Sequence, residues 1–301
     1  MNAIEIRNLT KNFGDKQAVC GLNMTVPLGA IYGFIGENGS GKSTTEKLIC
    51  GLLIPSSGEI KLFGKSHTDI DVRAKVGCLI ETPGCFPNYS VWNNLMLQAA
   101  NLQINNAEEE VRKVLKLVRM EGAASNKYKN FSLGMKQRIG IAMALLGKPK
   151  LLVLDEPING LDADGMRIMR EVLVDITKDK QTSVVVSSHI LGELEKVATH
   201  YGIIRQGKMI RGMTSEELEA NCRTYVALKT KDLNKTRDIL TAKYSRVEED
   251  ENEYIRVYDE KSPEDIVLYL YEKNIIVKEI KTAKISLEEY YIDLMNTKEG
   301  K

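Results

Sequence analysis

Hydrophobic and polar positions alternate with period two at the start of the chain, in Ile4-Glu5-Ile6-Arg7-Asn8-Leu9, and the chain turns at Gly14-Asp15-Lys16. Ala18 to Val26 then reads as a returning strand, so an antiparallel accessory sheet is expected ahead of everything else. Ala30 to Ile35 is instead apolar throughout, and a helix-like run begins at Thr44. Pro55-Ser56-Ser57-Gly58 breaks the chain before a strand over Glu59 to Phe63. Ala74 to Ile80 is an apolar strand ending at Glu81, and Pro83 and Pro87 forbid its regular continuation. From Ser90 to Met120 apolar residues recur at helical spacing, as in Val111, Val114, Leu115 and Val118, and a further helix is expected from Gly134 to Leu146. Leu151-Leu152-Val153-Leu154 and Ser183 to Ser187 are again unbroken apolar runs. Such runs mark strands covered on both faces, as in a parallel sheet.

The pattern changes beyond Thr214. Thr214 and Glu217 have capping-box spacing for a short linking helix, and a strand (Tyr225 to Lys229) and a helix (Leu233 to Ala242) follow. Val247 and Tyr254 to Tyr258 suggest two strands around the acidic turn Glu249-Asp250-Glu251-Asn252. Ser262-Pro263 starts a helix that Asn274 closes before the strand Ile275 to Ile280, and a last helix starts at Ser286 with Glu289 three residues on. The order β-α-β-β-α-β predicts a small ferredoxin-like α+β domain. Two domains are therefore expected: 1–215, with a helical insert at about 82–146, and an accessory domain at 216–301.

Composition narrows the options. Among 301 residues, 42 basic side chains face 41 acidic ones, so there is no net field to draw the chain to nucleic acid, and no nucleic-acid partner is expected. The cysteines, Cys20, Cys50, Cys78, Cys85 and Cys222, are scattered and form no C-x-x-C pair, a usage that fits small core residues in a reducing compartment. The start carries no secretory pattern, and no apolar run reaches the ~18 residues of a membrane span.

The chemistry lies in the loops after the apolar runs. Gly36-Glu37-Asn38-Gly39-Ser40-Gly41-Lys42-Ser43, followed by Thr44, fits G-x-x-x-x-G-K-[ST] between a strand and a helix, the context that a P-loop needs. Its glycines let backbone N–H groups turn toward phosphate oxygens, Lys42 supplies a charge for the β- and γ-phosphates, and the Ser43 hydroxyl suits Mg²⁺. Asp155 and Glu156 end the Leu151 strand, at the sheet edge where open α/β sheets bind ligands. By type and order Asp155 suits Mg²⁺ through water, and Glu156 suits the orientation or deprotonation of an attacking water. His189 ends the Ser183 strand, where it either caps and packs or bonds a γ-phosphate. Phe13 is either a hairpin aromatic or a flat ring for adenine.

Together these motifs resemble the ATP-binding subunit of an ABC transporter, over roughly residues 2 to 215. The resemblance implies a P-loop NTPase fold of ABC type, with a mixed core sheet, an antiparallel accessory sheet and a helical insert. It implies ATP and Mg²⁺ as ligands, Phe13 as the adenine-stacking aromatic, Glu81 in the place of the glutamine loop, where it serves catalysis and the metal, and His189 as the switch histidine. Ser132-Leu133-Gly134-Met135-Lys136-Gln137-Arg138 looks like the signature sequence and Asn159-Gly160-Leu161-Asp162 like the loop between subunits. Ser132, Gly134 and Asp162 would then serve a second copy's nucleotide in a head-to-tail homodimer. A membrane-spanning permease is implied as partner, with the chain held at the cytoplasmic face of the membrane. The usual Leu-Ser-Gly-Gly-Gln is here Phe131-Ser132-Leu133-Gly134-Met135, and Glu81 stands where a glutamine is usual. Both departures resemble exporters that protect bacteria from bacitracin or lantibiotics. An exporter for another drug or lipid, and a soluble ABC-type translation or assembly factor, are the alternative readings.

Overall fold

The computed structural model describes residues 2–221, 224–250, 253–258 and 262–296. Cys222 and, in the acidic turn, Glu251 and Asn252 lie outside the described residues. The chain divides into two compact units, Met1–Ser215 and Glu216–Lys301.

In chain order the first unit comprises β1 (Asn2–Phe13), β2 (Lys16–Pro27), β3 (Ile31–Ile35), α1 (Lys42–Ile49), β4 (Ser57–Leu62), β5 (Lys65–Ser66), α2 (Ile70–Arg73) and β6 (Val76–Leu79). The inserted helices α3 (Val91–Asn101), α4 (Ala107–Leu117) and α5 (Leu133–Leu145) follow. The core then resumes with β7 (Leu151–Leu154), α6 (Ala163–Thr177), β8 (Ser183–Ser188), α7 (Leu191–Leu194), β9 (His200–Arg205) and β10 (Lys208–Thr214). The alternating strands β1 and β2 belong to an antiparallel sheet of order β2-β1-β4-β5. The fully apolar strands belong to the other sheet, of order β10-β9-β3-β8-β7-β6, in which only β10 runs antiparallel. Every residue of β3, β7 and β8 is buried, as unbroken apolar runs require of strands covered on both faces.

Register decides where the chemistry meets. Ile35 pairs with Ser188, and Leu154 pairs with Val186, so the segments leaving β3, β7 and β8 emerge at one edge of the sheet. The strand expected over residues 74–80 is shorter, because α2, capped by Asp69 accepting from Asp71 and Val72, occupies the approach to it. The β9–β10 hairpin is an addition to the expected elements. Its turn, Gln206-Gly207, has φ of 49° and 78°, the paired left-handed geometry of a two-residue hairpin turn. Thr214, expected as a helix cap, instead ends β10 opposite His200.

The second unit holds α8 (Ser215–Asn221, its first residue still in the first unit), β11 (Thr224–Thr230), α9 (Leu233–Thr241), β12 (Val247–Glu249), β13 (Ile255–Val257), α10 (Pro263–Glu272), β14 (Val277–Lys284) and α11 (Leu287–Asn296). From β11 to β14 the order is βαββαβ, in an antiparallel sheet β12-β13-β11-β14. Its core is built by Val226, Leu228, Leu240, Ile255, Val257, Ile266 and Leu270. Asn274, at φ 59°, closes α10, and the Ile275 N–H bonds the Leu270 carbonyl. Ser286 and Glu289 make both bonds of a capping box, at 3.2 and 3.0 Å. Ser262 stands at the N-cap of α10, but its hydroxyl donates to the Glu264 carboxylate and accepts no cap hydrogen bond from the helix backbone.

Candidate nucleotide site

The loop from Gly36 to Ser43 closes around a cleft of about 170 Å³, whose lining includes Lys16, Ala18, Gly39, Lys42, Ser43 and Glu156. Gly41 stands at φ 109°, and a Cβ there would come 2.6 Å from the Ala18 carbonyl oxygen. No other residue fits both the angle and the space. The turn Gln206-Gly207 buttresses the loop from behind, since the Gly207 N–H donates to Ser40 O and the Cys20 N–H to Gly207 O, both at 2.8 Å. The Ser40 hydroxyl is buried without a hydrogen-bond partner. Lys42, buried at the first turn of α1, donates to the carbonyls of Gly36 at 2.7 Å and Glu37 at 3.2 Å, and its ammonium lies 3.6 Å from Glu156. Its charge is thus balanced at the cleft wall by groups that a phosphate could replace. Helix N-terminus, open N–H groups and a lysine together form an anion site.

Two carboxylates follow β7. Asp155 is buried and accepts from the Ser187 hydroxyl at 2.9 Å, and the same hydroxyl accepts from the Glu156 N–H at 3.0 Å. Ser187, on β8, therefore fixes both acids, a role that its place in an apolar run did not announce. Glu156 sits at φ 47°, and its Oε2 meets His189 Nδ1 at 3.0 Å and the Asn159 amide at 3.1 Å. Glu156, His189, Asn159 and Lys42 form one polar cluster at the open side of the cleft.

Beneath it lies a second residue that the sequence reading missed. Glu46 of α1 is completely buried beside Asp155 and Ser187, with neither carboxyl oxygen in a regular hydrogen bond. Burial, reinforced by the charge of Asp155, pushes its carboxyl well above the usual range. Burial with a second acid at hand disfavours the charged form of Glu46, which is the physical cause of that upward shift. The available signal was its position on the helix face shared with Ile49 and Cys50, where an acid is out of place.

The remaining expected residues lie away from the cleft lining. Phe13, at the tip of the β1–β2 hairpin, is 48% exposed, with the Lys11 ammonium 5.1 Å from its ring centre. Glu81, at φ 65° just beyond β6, is paired with Lys47 of α1 at 2.7 Å, and that bond holds its carboxyl below the usual range. Ser132 caps α5 by accepting from the Met135 N–H at 3.4 Å, and Asp162 caps α6 by accepting from Gly165 at 2.8 Å. These two helix starts interlock: a Cβ at Gly134 would come 3.2 Å from a Leu161 methyl, and one at Gly160 2.9 Å from a Leu133 methyl. Among the described residues no helix is long and apolar enough to cross a membrane.

An anion-binding loop between β3 and α1, facing two acids after β7 and a histidine after β8, with three helices inserted, defines an ATP-binding cassette. The ABC transporter family model matches residues 19–159, and the chain belongs to that family as one of its ATP-binding, ATP-hydrolysing members. It is 35% identical over 297 residues to the bacitracin transport ATP-binding protein BcrA of Bacillus licheniformis, spanning 97% of each chain. It is 39% identical over 207 residues to the lantibiotic transport ATP-binding protein SrtF of Streptococcus pyogenes, spanning 69% of this chain and 89% of that one. Among solved structures, cbiO1 of Clostridium perfringens, part of the ABC transporter complex cbiONQ, superimposes with a TM-score of 0.67 at 27% identity, over 73% of this chain and 91% of that one.

Proposed function

We propose that this chain is the ATPase subunit of an exporter that removes a membrane-active peptide antibiotic, of bacitracin or lantibiotic type. The observation that carries this reading is the length of the match to the bacitracin transport protein, which extends through the second unit as well as the cassette. In this reading a permease supplies the membrane path, and the chain works at the cytoplasmic face beside it.

The residues present fit ATP with Mg²⁺. Ser43 and Asp155 offer the hard oxygen donors that Mg²⁺ prefers, Asp155 through water, and the bound ion would neutralise phosphate charge. Lys42 exchanges the Gly36 and Glu37 carbonyls for β- and γ-phosphate oxygens, and the N–H groups at the start of α1 complete the cradle. Released from Lys42, Glu156 accepts a proton from the attacking water, while His189 steadies its carboxylate. Glu81 would reach a bound metal only by leaving Lys47, and Phe13 would meet an adenine ring from the hairpin. Ser132, Gly134 and Asp162 face the nucleotide of a second copy arranged head to tail.

The test is susceptibility in a strain lacking this gene, complemented together with a membrane protein that co-purifies with the chain. Wild-type chain restores resistance to a bacitracin- or lantibiotic-type peptide, and Glu156→Gln does not. Equal susceptibility of all three strains to such peptides would overturn the cargo assignment.

A further inference from the structure

The nucleotide cleft carries a cation that neither the P-loop nor the acids after β7 account for. Its charged lining is Lys42, Glu156 and Lys16. Lys42 and Glu156 face each other at 3.6 Å, which leaves Lys16 as the excess positive charge. Lys16 is exposed, and among the described residues its ammonium has neither an ion-pair nor a hydrogen-bond partner. The other lysine of the same hairpin is engaged, since Lys11 donates to the Ile54 carbonyl at 2.8 Å. Local structure explains how Lys16 comes to the cleft. The β1–β2 register passes from Lys11 opposite Val19 to Asn12 opposite Gln17, so Ala18 is an extra residue on β2, a β-bulge. There the strand closes on the P-loop: a Cβ at Gly41 would come 2.6 Å from the Ala18 carbonyl oxygen, and Lys16 and Ala18 both line the cleft. Across the turn Gly14-Asp15, Lys16 pairs with Phe13.

We propose that Lys16 is a further nucleotide-binding residue, its ammonium meeting the α-phosphate of ATP or ADP. The placement rests on the reading that Phe13 meets the adenine ring. With the base on Phe13 and the β- and γ-phosphates on Lys42, the α-phosphate is the charged group of the nucleotide that falls beside the residue paired with Phe13. The chemistry fits a polyanion, because the cleft lining without Lys16 is neutral and with it carries one positive charge. Lys16 acts from an exposed strand, so its attraction is screened by solvent and salt and is weaker than that of the buried Lys42. Since ATP and ADP share the α-phosphate, Lys16 holds both alike, whereas a contact with the γ-phosphate would favour ATP.

The experiment measures the affinity of full-length protein for ATP, ADP and inorganic tripolyphosphate by calorimetry in the presence of Mg²⁺. In Lys16→Gln, affinity falls about fivefold for ATP and ADP alike, as for the loss of one exposed charge-assisted bond. It falls for tripolyphosphate too, whose third phosphate takes the α position. Lys16→Arg keeps the charge and holds ADP within about twofold of wild type. Raising NaCl from about 50 to about 300 mM narrows the gap between wild type and Lys16→Gln, because the lost interaction is electrostatic. Phe13→Ala weakens ADP and leaves tripolyphosphate unchanged, so a failure of the adenine reading shows in that variant and a failure of the lysine shows in Lys16→Gln. Unchanged ADP affinity in Lys16→Gln would overturn the proposal, as would a fall for ATP alone, which would move Lys16 to the γ-phosphate. Lys16→Gln alters one exposed side chain, so a thermal melt within about 2 °C of wild type confirms that the fold is intact.

Discussion

The P-loop and the signature segment belong to one cassette but are built to different degrees. Around Lys42 everything an anion needs is already in the chain: a cleft, open N–H groups, a helix start and a lysine held by replaceable partners. Around Ser132 the described contacts are those of a helix start. Among the described residues its hydroxyl and the Asp162 carboxylate cap their own helices, and Leu133 is half exposed beside them. The first motif is complete as a single copy. The second has two interlocking helix starts with Leu133 half exposed beside them, the arrangement that a contribution to another copy's site requires.

That contrast is exposed to single substitutions, and the largest effect belongs to Lys42→Ala. Losing charge-assisted bonds of about 1.5–3 kcal/mol each weakens ATP binding at least about 100-fold, measured by calorimetry. An unchanged affinity would show that the loop is not the anion site. Glu156→Gln keeps ATP affinity near wild type and slows hydrolysis about 100-fold or more, read by phosphate release. Ser132→Ala sharpens the comparison from the other side. Monomer affinity for ATP stays within about twofold, hydrolysis falls about tenfold for one lost hydrogen bond, and loss of the cap costs about 1 kcal/mol in a thermal melt. A fall in monomer affinity matching that of Lys42→Ala would place both motifs in one chain's site.

Glu46 gives an effect of a different kind, confined to one pH window. Its folded pKa is raised, so its contribution to stability is full below the ordinary value of 4.5 and is lost as pH rises toward the folded value. Across that window the wild type loses about 1.4 kcal/mol per pH unit through this group. Glu46→Gln has no such loss, so the variant and wild type melt together near pH 4 and the variant melts higher near pH 7. Parallel melting curves across that range would mean that Glu46 is ionised in both states.

How much of this was legible in the sequence follows from what each residue depends on. The P-loop, Asp155 and Glu156 were readable because a strand, a loop and a helix contiguous in the chain place them. The βαββαβ order of the second unit was readable too, from turn residues and period changes. Ser187 was not, because its role arises from the pairing of β8 with β7, a contact between residues far apart in the chain. Glu46 was signalled only by the helix face that it shares with Ile49 and Cys50, and the packing is what shows that face to be buried. The Glu81–Lys47 pair was hidden for the same reason, since α1 and the end of β6 meet only in three dimensions.

The central proposal is that two copies share each nucleotide, P-loop to signature. Sedimentation of Glu156→Gln with ATP and Mg²⁺ tests it most directly, because binding survives in that variant while hydrolysis no longer dissolves the complex. The account predicts a shift from 33.7 kDa to about twice that mass, abolished by adding Ser132→Ala and Gly134→Asp to the same chain. A species that remains at 33.7 kDa with ATP saturating would contradict it.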